Sequence, residues 1–289
     1  MAEEIVPRNK PGSRAISLAY LTVRGAWPSQ QIEFAARCGY SHVGLRFLPV
    51  VEGEALLDVA GSRERVRETQ IALDAAGISV LDVEFFWIKS NTKVPEFERY
   101  FAAAERLGAA NLLVGVRDPD PSRLADHWLA FCELAASYRL RANLEFMPFP
   151  DMTTLNTYGE TIDFLNSAPC GNAGITIDAI HFQRSESCIA EIRPEHHRYF
   201  AYAQLCDAAA GQFSLTEMQR QARSDRLPLG RGCVDLIGLL NALPADLPVG
   251  LEIPLGGEAQ DWSALRKAQL AFDSARDLLG RLPEFAGAG

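Results

Sequence analysis

The sequence predicts a single α/β domain folded as a closed parallel (β/α)8 TIM barrel. Short strand-like segments and helix-like segments alternate about eight times along the chain, which is typical of parallel α/β folds. A doubly wound open sheet is the alternative, and it normally carries a glycine-rich phosphate loop after its first strand. The sequence there reads Leu21-Thr22-Val23-Arg24-Gly25, which is not such a loop. We therefore favour the barrel.

The expected strands are short apolar runs that glycine, proline or polar residues bound. They cover residues 15–23, 41–48, 78–88, 110–116, 141–147, 173–177, 199–205 and 248–253. Runs of this kind are expected for parallel strands, which are buried on both faces.

The expected helices follow these strands and begin or end at recognisable capping residues. They cover residues 30–38, 62–76, 94–107, 120–138, 158–167, 186–192, 235–242 and 261–282. Pro28 opens the first helix, Ser62 caps the second, and Gly77 is placed to end the second in the left-handed conformation. The polar segment 208–234 has no assigned element.

The composition is that of an ordinary globular protein with an excess of acidic residues. The 289 residues are 48% hydrophobic and carry a formal net charge of −9. This charge argues against binding to the phosphate backbone of nucleic acids. No apolar run reaches the roughly 18 residues that a membrane-spanning helix needs. We expect residues 1–14 to be a flexible N-terminal lead-in without a secretory signal, and residues 15–289 to form one catalytic domain.

The cysteine pattern favours a cytoplasmic protein. Six cysteines are scattered singly along the chain and form no C-x-x-C pair. This distribution is typical of reduced thiols rather than of a disulfide framework or a zinc-binding knuckle.

Polar residues stand at the ends of most predicted strands, where an unpaired buried carboxylate would be costly. In a (β/α)8 barrel these carboxyl ends line the active site. The residues concerned are Arg46, Glu84, Trp87, Glu145, Asp178, His181, Gln204, Asp207 and Glu252. Taken alone, Asp178 could instead cap the following helix. The recurrence of an acceptor on each of the last four strands favours a shared site.

Glu145, Asp178, Gln204 and Glu252 form the expected metal site. Three carboxylates and one amide oxygen are hard ligands, which suit Mg²⁺ or Mn²⁺, with Co²⁺ as a further candidate. Zinc prefers nitrogen and sulfur ligands. A divalent cation would also offset the mutual repulsion of the carboxylates, which would otherwise raise the pKa of at least one of them.

The order of these strand-end residues resembles the xylose isomerase-like barrel superfamily, commonly described as sugar phosphate isomerases and epimerases. The resemblance covers residues 15–282 and implies that Glu145, Asp178 and Glu252 bind one divalent metal. Gln204 stands where many members carry a histidine. A glutamine there, together with the Asp-x-x-His of Asp178 and His181, is similar to the bacterial 3-dehydroshikimate dehydratases. Because dimers and tetramers are common among similar barrels, a homo-oligomer is compatible with this resemblance.

Three residues are the expected catalytic groups. His181 is expected to act as an acid or base, because histidine titrates near neutral pH. The resemblance implies that Glu145 and Glu252 carry the proton in isomerase-type reactions, in addition to binding the metal.

Five residues are the expected substrate-binding groups. Arg46 can either pair with Glu84 or bind a substrate carboxylate or phosphate in bidentate fashion. Arg231 is a second candidate for that role. Asp207 follows strand seven, and Glu84 and Trp87 are expected in the pocket wall, although Trp87 could equally belong to the core.

The expected chemistry begins with a substrate carbonyl that a divalent metal polarises, which stabilises the enolate formed on loss of the neighbouring proton. If a β-hydroxyl then leaves, the enzyme is a dehydratase. If the proton returns to another carbon or face, it is an isomerase or epimerase. We expect a metal-dependent lyase or isomerase for a small, polyhydroxylated keto compound with an anionic group. Dehydration of a 3-dehydroshikimate-like acid is the preferred version, and keto-sugar isomerisation or epimerisation is the alternative.

Two other functional classes fit the sequence less well. A DNA-repair endonuclease of the related barrel type needs a histidine-rich cluster of three zinc ions and a positive face. The chain has five histidines and a net charge of −9. A non-catalytic barrel would tolerate the loss of metal ligands, whereas the complete set is present here.

Overall fold

Eight parallel strands close into a barrel in the computed structural model, which describes residues 14–50, 53–54, 56 and 58–282. The strands are β1 (Ile16–Leu18), β2 (His42–Arg46), β3 (Ser79–Lys89), β4 (Asn111–Arg117), β5 (Arg141–Glu145), β6 (Ala173–Asp178), β7 (Phe200–Leu205) and β8 (Val249–Leu251). Each strand pairs with the next, and Ser17 of β1 lies opposite Gly250 of β8 to close the circle. The predicted (β/α)8 barrel is confirmed.

Nine α-helices of the described residues pack around the barrel or cross its ends. They are α1 (Pro28–Cys38), α2 (Arg63–Ala76), α3 (Glu98–Arg106), α4 (Pro121–Ser137), α5 (Tyr158–Ser167), α6 (Ala179–Arg184), α7 (Leu215–Ser224), α8 (Leu236–Ala242) and α9 (Ala264–Leu279). Ser62 caps α2, and Gly77 ends it in the left-handed conformation, as the sequence predicts. Thr157 and Glu160 form a capping box at the start of α5.

The first predicted strand is shorter than expected. The apolar run at residues 15–23 is a strand only over its first part, and a 3-10 helix follows. The hydroxyl of Thr22 explains the turn, because it donates to the carbonyl of Leu251 at 2.7 Å and accepts from the amide of Ile253 at 2.8 Å. The end of the run is therefore fastened to the chain around β8 rather than continuing along the barrel.

The helix expected at residues 186–192 is also misplaced. The helix of this unit is α6, which begins directly after β6, because Asp178 Oδ1 accepts a hydrogen bond from the amide of Ile180 at 3.0 Å. Only a short 3-10 turn, Ile189–Glu191, lies within the predicted range. Asp178 thus has the capping role that was its alternative interpretation, while its second carboxylate oxygen accepts a hydrogen bond from Arg226 Nη1 at 2.7 Å.

The polar segment 208–234 contains a helix that the sequence-based assignment leaves out. Ser214 caps this helix, α7, because its hydroxyl accepts from the amide of Glu217 at 3.3 Å. The sequence carries a weak signal for it, a Ser-x-x-Glu cap followed by Leu215, Met218 and Ala222 at helical spacing. Leu215 and Met218 are only half-buried against the core, so most of the segment reads as polar.

An aromatic cluster fills the space between β3 and helices α3 and α4. Phe86, Phe101 and Phe131 are fully buried, and their ring centroids lie 5.0 to 5.7 Å apart in edge-to-face pairs. Such pairs add to the large apolar area that aromatic rings bury. The cluster supports β3, the strand that carries Glu84 and Trp87.

The predicted domain boundaries fall largely outside the described residues. Of the expected lead-in at residues 1–14, only Arg14 is described, and its guanidinium is buried and donates to the carbonyls of Leu240 and Leu247. Residues 283–289 at the other end are likewise outside. No helix in the described ranges is long and apolar enough to cross a membrane.

Replacing Phe101 with alanine should lower the free energy of unfolding by about 3–5 kcal/mol, because the change leaves a cavity in the aromatic cluster. Urea unfolding followed by circular dichroism measures the effect. Ile71 is 53% exposed on α2, so Ile71→Ala is the control and should change the free energy by less than about 0.5 kcal/mol. Equal effects of the two substitutions would contradict the described packing.

Candidate metal centre

The last four strands bring four acceptor side chains to one end of the barrel. Glu145 ends β5, Asp178 ends β6, Gln204 lies near the end of β7, and Glu252 follows β8 directly. Asp178 and Gln204 are register partners on neighbouring strands. None of the four residues is more than 5% exposed. The buried convergence of these side chains agrees with the strand-end pattern in the sequence.

Several of these side chains have the arrangement that a cation requires. Glu145, Asp178 and His181 each offer a ligand atom, and these atoms lie within 4.8 Å of one another. Gln204 Oε1 is buried and has no hydrogen-bond partner among the described residues. A buried carbonyl-type oxygen without a donor is costly, and a cation removes that cost. Glu145, Asp178 and His181 therefore fit a divalent metal ion, and among the described residues Glu252 does not belong to this group.

Arg226 connects two of the expected ligands. Its Nη1 donates to Asp178 Oδ2 at 2.7 Å, and its Nη2 lies 3.1 Å from Glu252 Oε2. Its Nε donates to the carbonyl of Ala222 in α7 at 2.7 Å. The guanidinium is thus a buried cation that offsets part of the negative charge and fixes the two carboxylates relative to each other.

The carboxylates of the site differ in how readily they ionise. Burial raises the pKa of Glu252 to about 8, although Arg226 acts in the opposite direction. Burial also raises the pKa of Glu145, and the neighbouring Asp178 adds to the effect. Burial opposes ionisation of Asp178 too, but Arg226 outweighs it and the pKa of Asp178 is lowered. The metal-free site at neutral pH therefore pairs an ionised Asp178 with a protonated Glu252.

His181 is a neutral imidazole at neutral pH. Burial lowers its pKa to about 4, although Asp178 acts in the opposite direction. The ring lies edge-on to Phe149, with the centroids 5.4 Å apart. Its Nδ1 is buried and has no hydrogen-bond partner in the part of the chain that is described. A neutral imidazole with an unpartnered ring nitrogen can accept a proton or bind a metal.

Arg46 pairs with carboxylates and also lines the mouth of the barrel. Its Nη2 lies 3.4 Å from Glu84 Oε1, and its Nη1 lies 3.5 Å from Glu54 Oε1. The guanidinium also lies over the ring of Tyr20, 4.9 Å from the centroid. Two carboxylates therefore already compensate its charge, which is the first of its two sequence-based interpretations.

Flat and flexible apolar side chains form the wall of the same cavity. They are Phe85, Trp87, Met147, Phe149 and Met152. Trp87 packs against Phe85 with 4.9 Å between the centroids. Gly115 on β4 leaves room for this pair, because a Cβ there would lie 2.7 Å from the ring of Phe85. Trp87 thus lines the cavity, which is one of the two positions that the sequence leaves open for it.

Two predicted substrate residues do not line this cavity. Asp207 is buried, and its carboxylate accepts from the amides of Ala208, Gly232 and Val234 at 2.8 to 3.0 Å. It therefore holds the loop before α8 in place. Arg231 is exposed in that loop. A substrate role for Asp207 and Arg231 stays a prediction that their positions do not support.

Arg226 and Arg223 both line the cavity, and neither was predicted from the sequence. Four arginines stand within segment 208–234, and nothing in their local sequence distinguishes the buried one from the others. The available signal was electrostatic: three carboxylates at one barrel mouth need compensating positive charge, and that segment is the arginine-rich one.

The chain matches the sequence model of one known protein family. A family model described as "Xylose isomerase-like TIM barrel" matches residues 32–273. No curated protein matches the chain at a significant level.

Solved structures similar to the chain include one with a bound metal and two of proteins named for an activity. The zinc-bound IolI protein has a TM-score of 0.77 and 16% identity, with 92% of this chain and 98% of that chain covered. A D-allulose 3-epimerase from Methylomonas sp. has a TM-score of 0.66 and 16% identity, with 92% and 98% covered. The probable 3-DHS dehydratase AsbF from Bacillus anthracis has a TM-score of 0.68 and 15% identity, with 88% and 97% covered. At these identities the likeness concerns the fold.

The metal-free protein should lose thermal stability as the pH rises from about 6.5 to about 8, a window above the range in which the lowered pKa of His181 acts in the opposite direction. Over this window the unfolded chain has released the proton of Glu252, whereas the folded site still retains it, so the unfolded state is favoured. A divalent cation replaces that proton, and the stabilisation by Mn²⁺ should grow over the same window. Melting temperatures in a chelator and in Mn²⁺ across this range measure both effects.

Glu252→Gln is the control for this pH dependence. It should make the metal-free profile less steep, because the amide does not titrate, whereas Glu145 still does. A stabilisation by Mn²⁺ that is independent of pH in the unsubstituted protein would contradict the raised pKa of Glu252.

Proposed function

The chain belongs to the xylose isomerase-like TIM barrel family, and we propose that it is a divalent-metal-dependent lyase that dehydrates a 3-dehydroshikimate-like acid. The observation that carries this proposal is Gln204, whose buried Oε1 lacks a hydrogen-bond partner among the described residues. A glutamine at this strand end is the feature that resembles the bacterial dehydratases. The similarity to the structure of a probable 3-DHS dehydratase supports the same proposal.

Glu145, Asp178, Gln204 and Glu252 are the proposed ligands of one Mn²⁺ or Mg²⁺ ion, with Co²⁺ as a further candidate. When bound, the ion supplies Lewis-acid polarisation of a substrate carbonyl. A nitrogen ligand is the alternative to an oxygen-only set, because His181 offers an atom within 4.8 Å of those of Glu145 and Asp178. Such a set would favour zinc, the metal bound in the similar IolI structure.

His181 is the proposed proton carrier of the dehydration. A base removes the proton from the carbon next to the substrate carbonyl, and the hydroxyl on the following carbon leaves as water once it has been protonated. His181 is neutral at neutral pH because burial lowers its pKa to about 4, and its Nδ1 has no partner among the described residues. The imidazole can therefore accept the first proton and return it to the leaving hydroxyl.

Arg226 is the proposed positioning residue of the ligand set. It holds Asp178 at 2.7 Å and Glu252 at 3.1 Å, and these two side chains belong to different strand ends. Their separation is thereby set before any substrate arrives. Positioning of this kind reduces the reorganisation that the reaction would otherwise require.

Isomerisation or epimerisation of a keto sugar is the second candidate. Burial raises the pKa of both Glu145 and Glu252, so either side chain can hold a proton near neutral pH. The two residues come from different strands, β5 and β8, and a pair of carboxyl groups on opposite sides of a substrate suits proton transfer between two faces. The similarity to a D-allulose 3-epimerase supports this alternative.

Protein supplied with Mn²⁺ should convert 3-dehydroshikimate to an aromatic product, which ultraviolet absorbance detects, and a chelator should abolish the signal. Glu145→Gln should reduce the rate at least about a hundredfold, because even changes to outer partners of metal ligands cost 10- to 100-fold. The matched control is Glu96→Gln, a change at a residue whose side chain is 70% exposed. It should leave the rate unchanged.

Absence of turnover with Mn²⁺, Mg²⁺, Co²⁺ and Zn²⁺ would refute the dehydratase assignment. A panel of keto sugars would then test the isomerase alternative. Full activity of Glu145→Gln would instead refute the proposed metal site itself.

A further inference from the structure

Three guanidinium groups line the mouth of the barrel, and they differ in how their charge is compensated. Arg226 contacts the carboxylates of Asp178 and Glu252, and Arg46 contacts those of Glu84 and Glu54. The guanidinium of Arg223 makes no hydrogen bond or ion pair with any residue in the described ranges. Of the arginines that line the pocket, Arg223 is therefore the one whose charge no carboxylate in the described part of the chain compensates.

Hydrogen bonds fix the helix that carries Arg223. Arg24 Nη2 donates to the carbonyl of Arg223 at 2.7 Å, and Arg226 Nε donates to the carbonyl of Ala222 at 2.7 Å. One turn earlier, Gln219 Nε2 donates to Asp151 Oδ1 at 3.0 Å. These bonds tie α7 to the chain after β1, to the chain after β5, and to Arg226, which lies two residues beyond the end of the helix. The position of Arg223 over the pocket is thus set by the protein rather than by a bound ligand.

The surroundings of Arg223 favour an anion. Burial lowers the pKa of Arg223, and the cations Arg24 and Arg46 add to this effect, while Glu54 opposes it. Because Glu54 and Glu84 already compensate Arg46, Arg24 is the neighbouring cation that adds to the positive potential around Arg223 and attracts anionic ligands. A divalent ion in the proposed metal site would strengthen this potential.

Two features indicate the kind of anion. One is a single guanidinium in the pocket lining without a compensating carboxylate, and the other is the apolar part of the lining. One guanidinium binds one carboxylate through two parallel hydrogen bonds, the contact that the acid of the proposed function would make. The wall formed by Phe149, Met152 and Trp87 suits a flat carbon ring. The pocket therefore matches a ring compound with a single carboxylate.

We propose that Arg223 binds the carboxylate of the substrate and makes the pocket selective for monoanionic ring acids over neutral keto sugars. This inference rests on the proposed function, because it takes the mouth of the barrel to be the substrate pocket. It assigns recognition of the anion to Arg223 rather than to Arg46 or Arg231. Arg223 is then a specificity-determining residue.

A binding experiment with two matched ligands tests this assignment. The probes are 3,4-dihydroxybenzoate and 3,4-dihydroxybenzamide, which share the ring and both hydroxyls and differ in the charge of one group. Isothermal titration calorimetry on Mn²⁺-loaded protein gives both dissociation constants. The acid should bind at least about tenfold more tightly than the amide, as expected for a charge-assisted contact to a guanidinium.

Arg223→Met keeps an unbranched apolar stem and removes the charged guanidinium. It should bring the two dissociation constants to within about twofold of each other, mainly by weakening binding of the acid. Arg67→Met is the matched control, because Arg67 is exposed on α2 and does not line the pocket. It should preserve the ratio. Thermal unfolding of each variant establishes that the fold is intact.

Several results would overturn the inference. The first is equal affinity for acid and amide in the unsubstituted protein. The second is an unchanged ratio of the two dissociation constants in Arg223→Met. The third is loss of the difference in Arg46→Met while Arg223→Met retains it. Failure of both probes to bind would also overturn it, because the pocket would not accept this class of ligand. The ratio requires no turnover, so a preserved ratio without dehydratase activity would refute the proposed reaction and leave the carboxylate subsite standing.

Discussion

The bridge that Arg226 forms between Asp178 and Glu252 is the interaction on which the mouth of the barrel depends. Buried charges cost several kcal/mol each unless partners compensate them, and the strand ends here collect more carboxylates than one guanidinium can neutralise. A proton on Glu252, whose pKa burial raises to about 8, neutralises part of the negative charge that remains. A divalent cation would neutralise this charge more completely, which explains why a site of this composition suits a metal.

The same bridge links the proposed metal site to substrate recognition. Through its Nε, Arg226 holds the carbonyl of Ala222 in α7. The next residue of that helix is Arg223, which faces the pocket without a partner among the described residues. One buried side chain therefore sets the geometry of two expected metal ligands and of the helix that presents the proposed carboxylate contact. The metal ligands alone suit several reactions, and it is the groups around them that separate an acid from a neutral sugar.

The sequence predicts the architecture and the strand-end residues well, because both follow from local patterns. The length and hydrophobic pattern of the segments identify the strands. The carboxyl ends of the strands lie at one end of the barrel regardless of where the helices begin and end. Arg226 could not be predicted in this way, because it is distinguished only by contacts with distant residues, and α7 gives only a weak signal, because its apolar residues are few and mostly half-buried. Asp207 shows the converse. Its position after strand seven suggests a site residue, but its carboxylate accepts hydrogen bonds from three backbone amides.

Anomalous diffraction from a crystal soaked in Mn²⁺ tests the proposed metal site most directly, because the signal locates the ion independently of any activity. We predict one strong peak at the barrel mouth, within about 2.0–2.6 Å of oxygens from Glu145, Asp178, Gln204 and Glu252. A peak elsewhere, or none at the mouth with Arg226 still bridging its two carboxylates, would contradict the proposal.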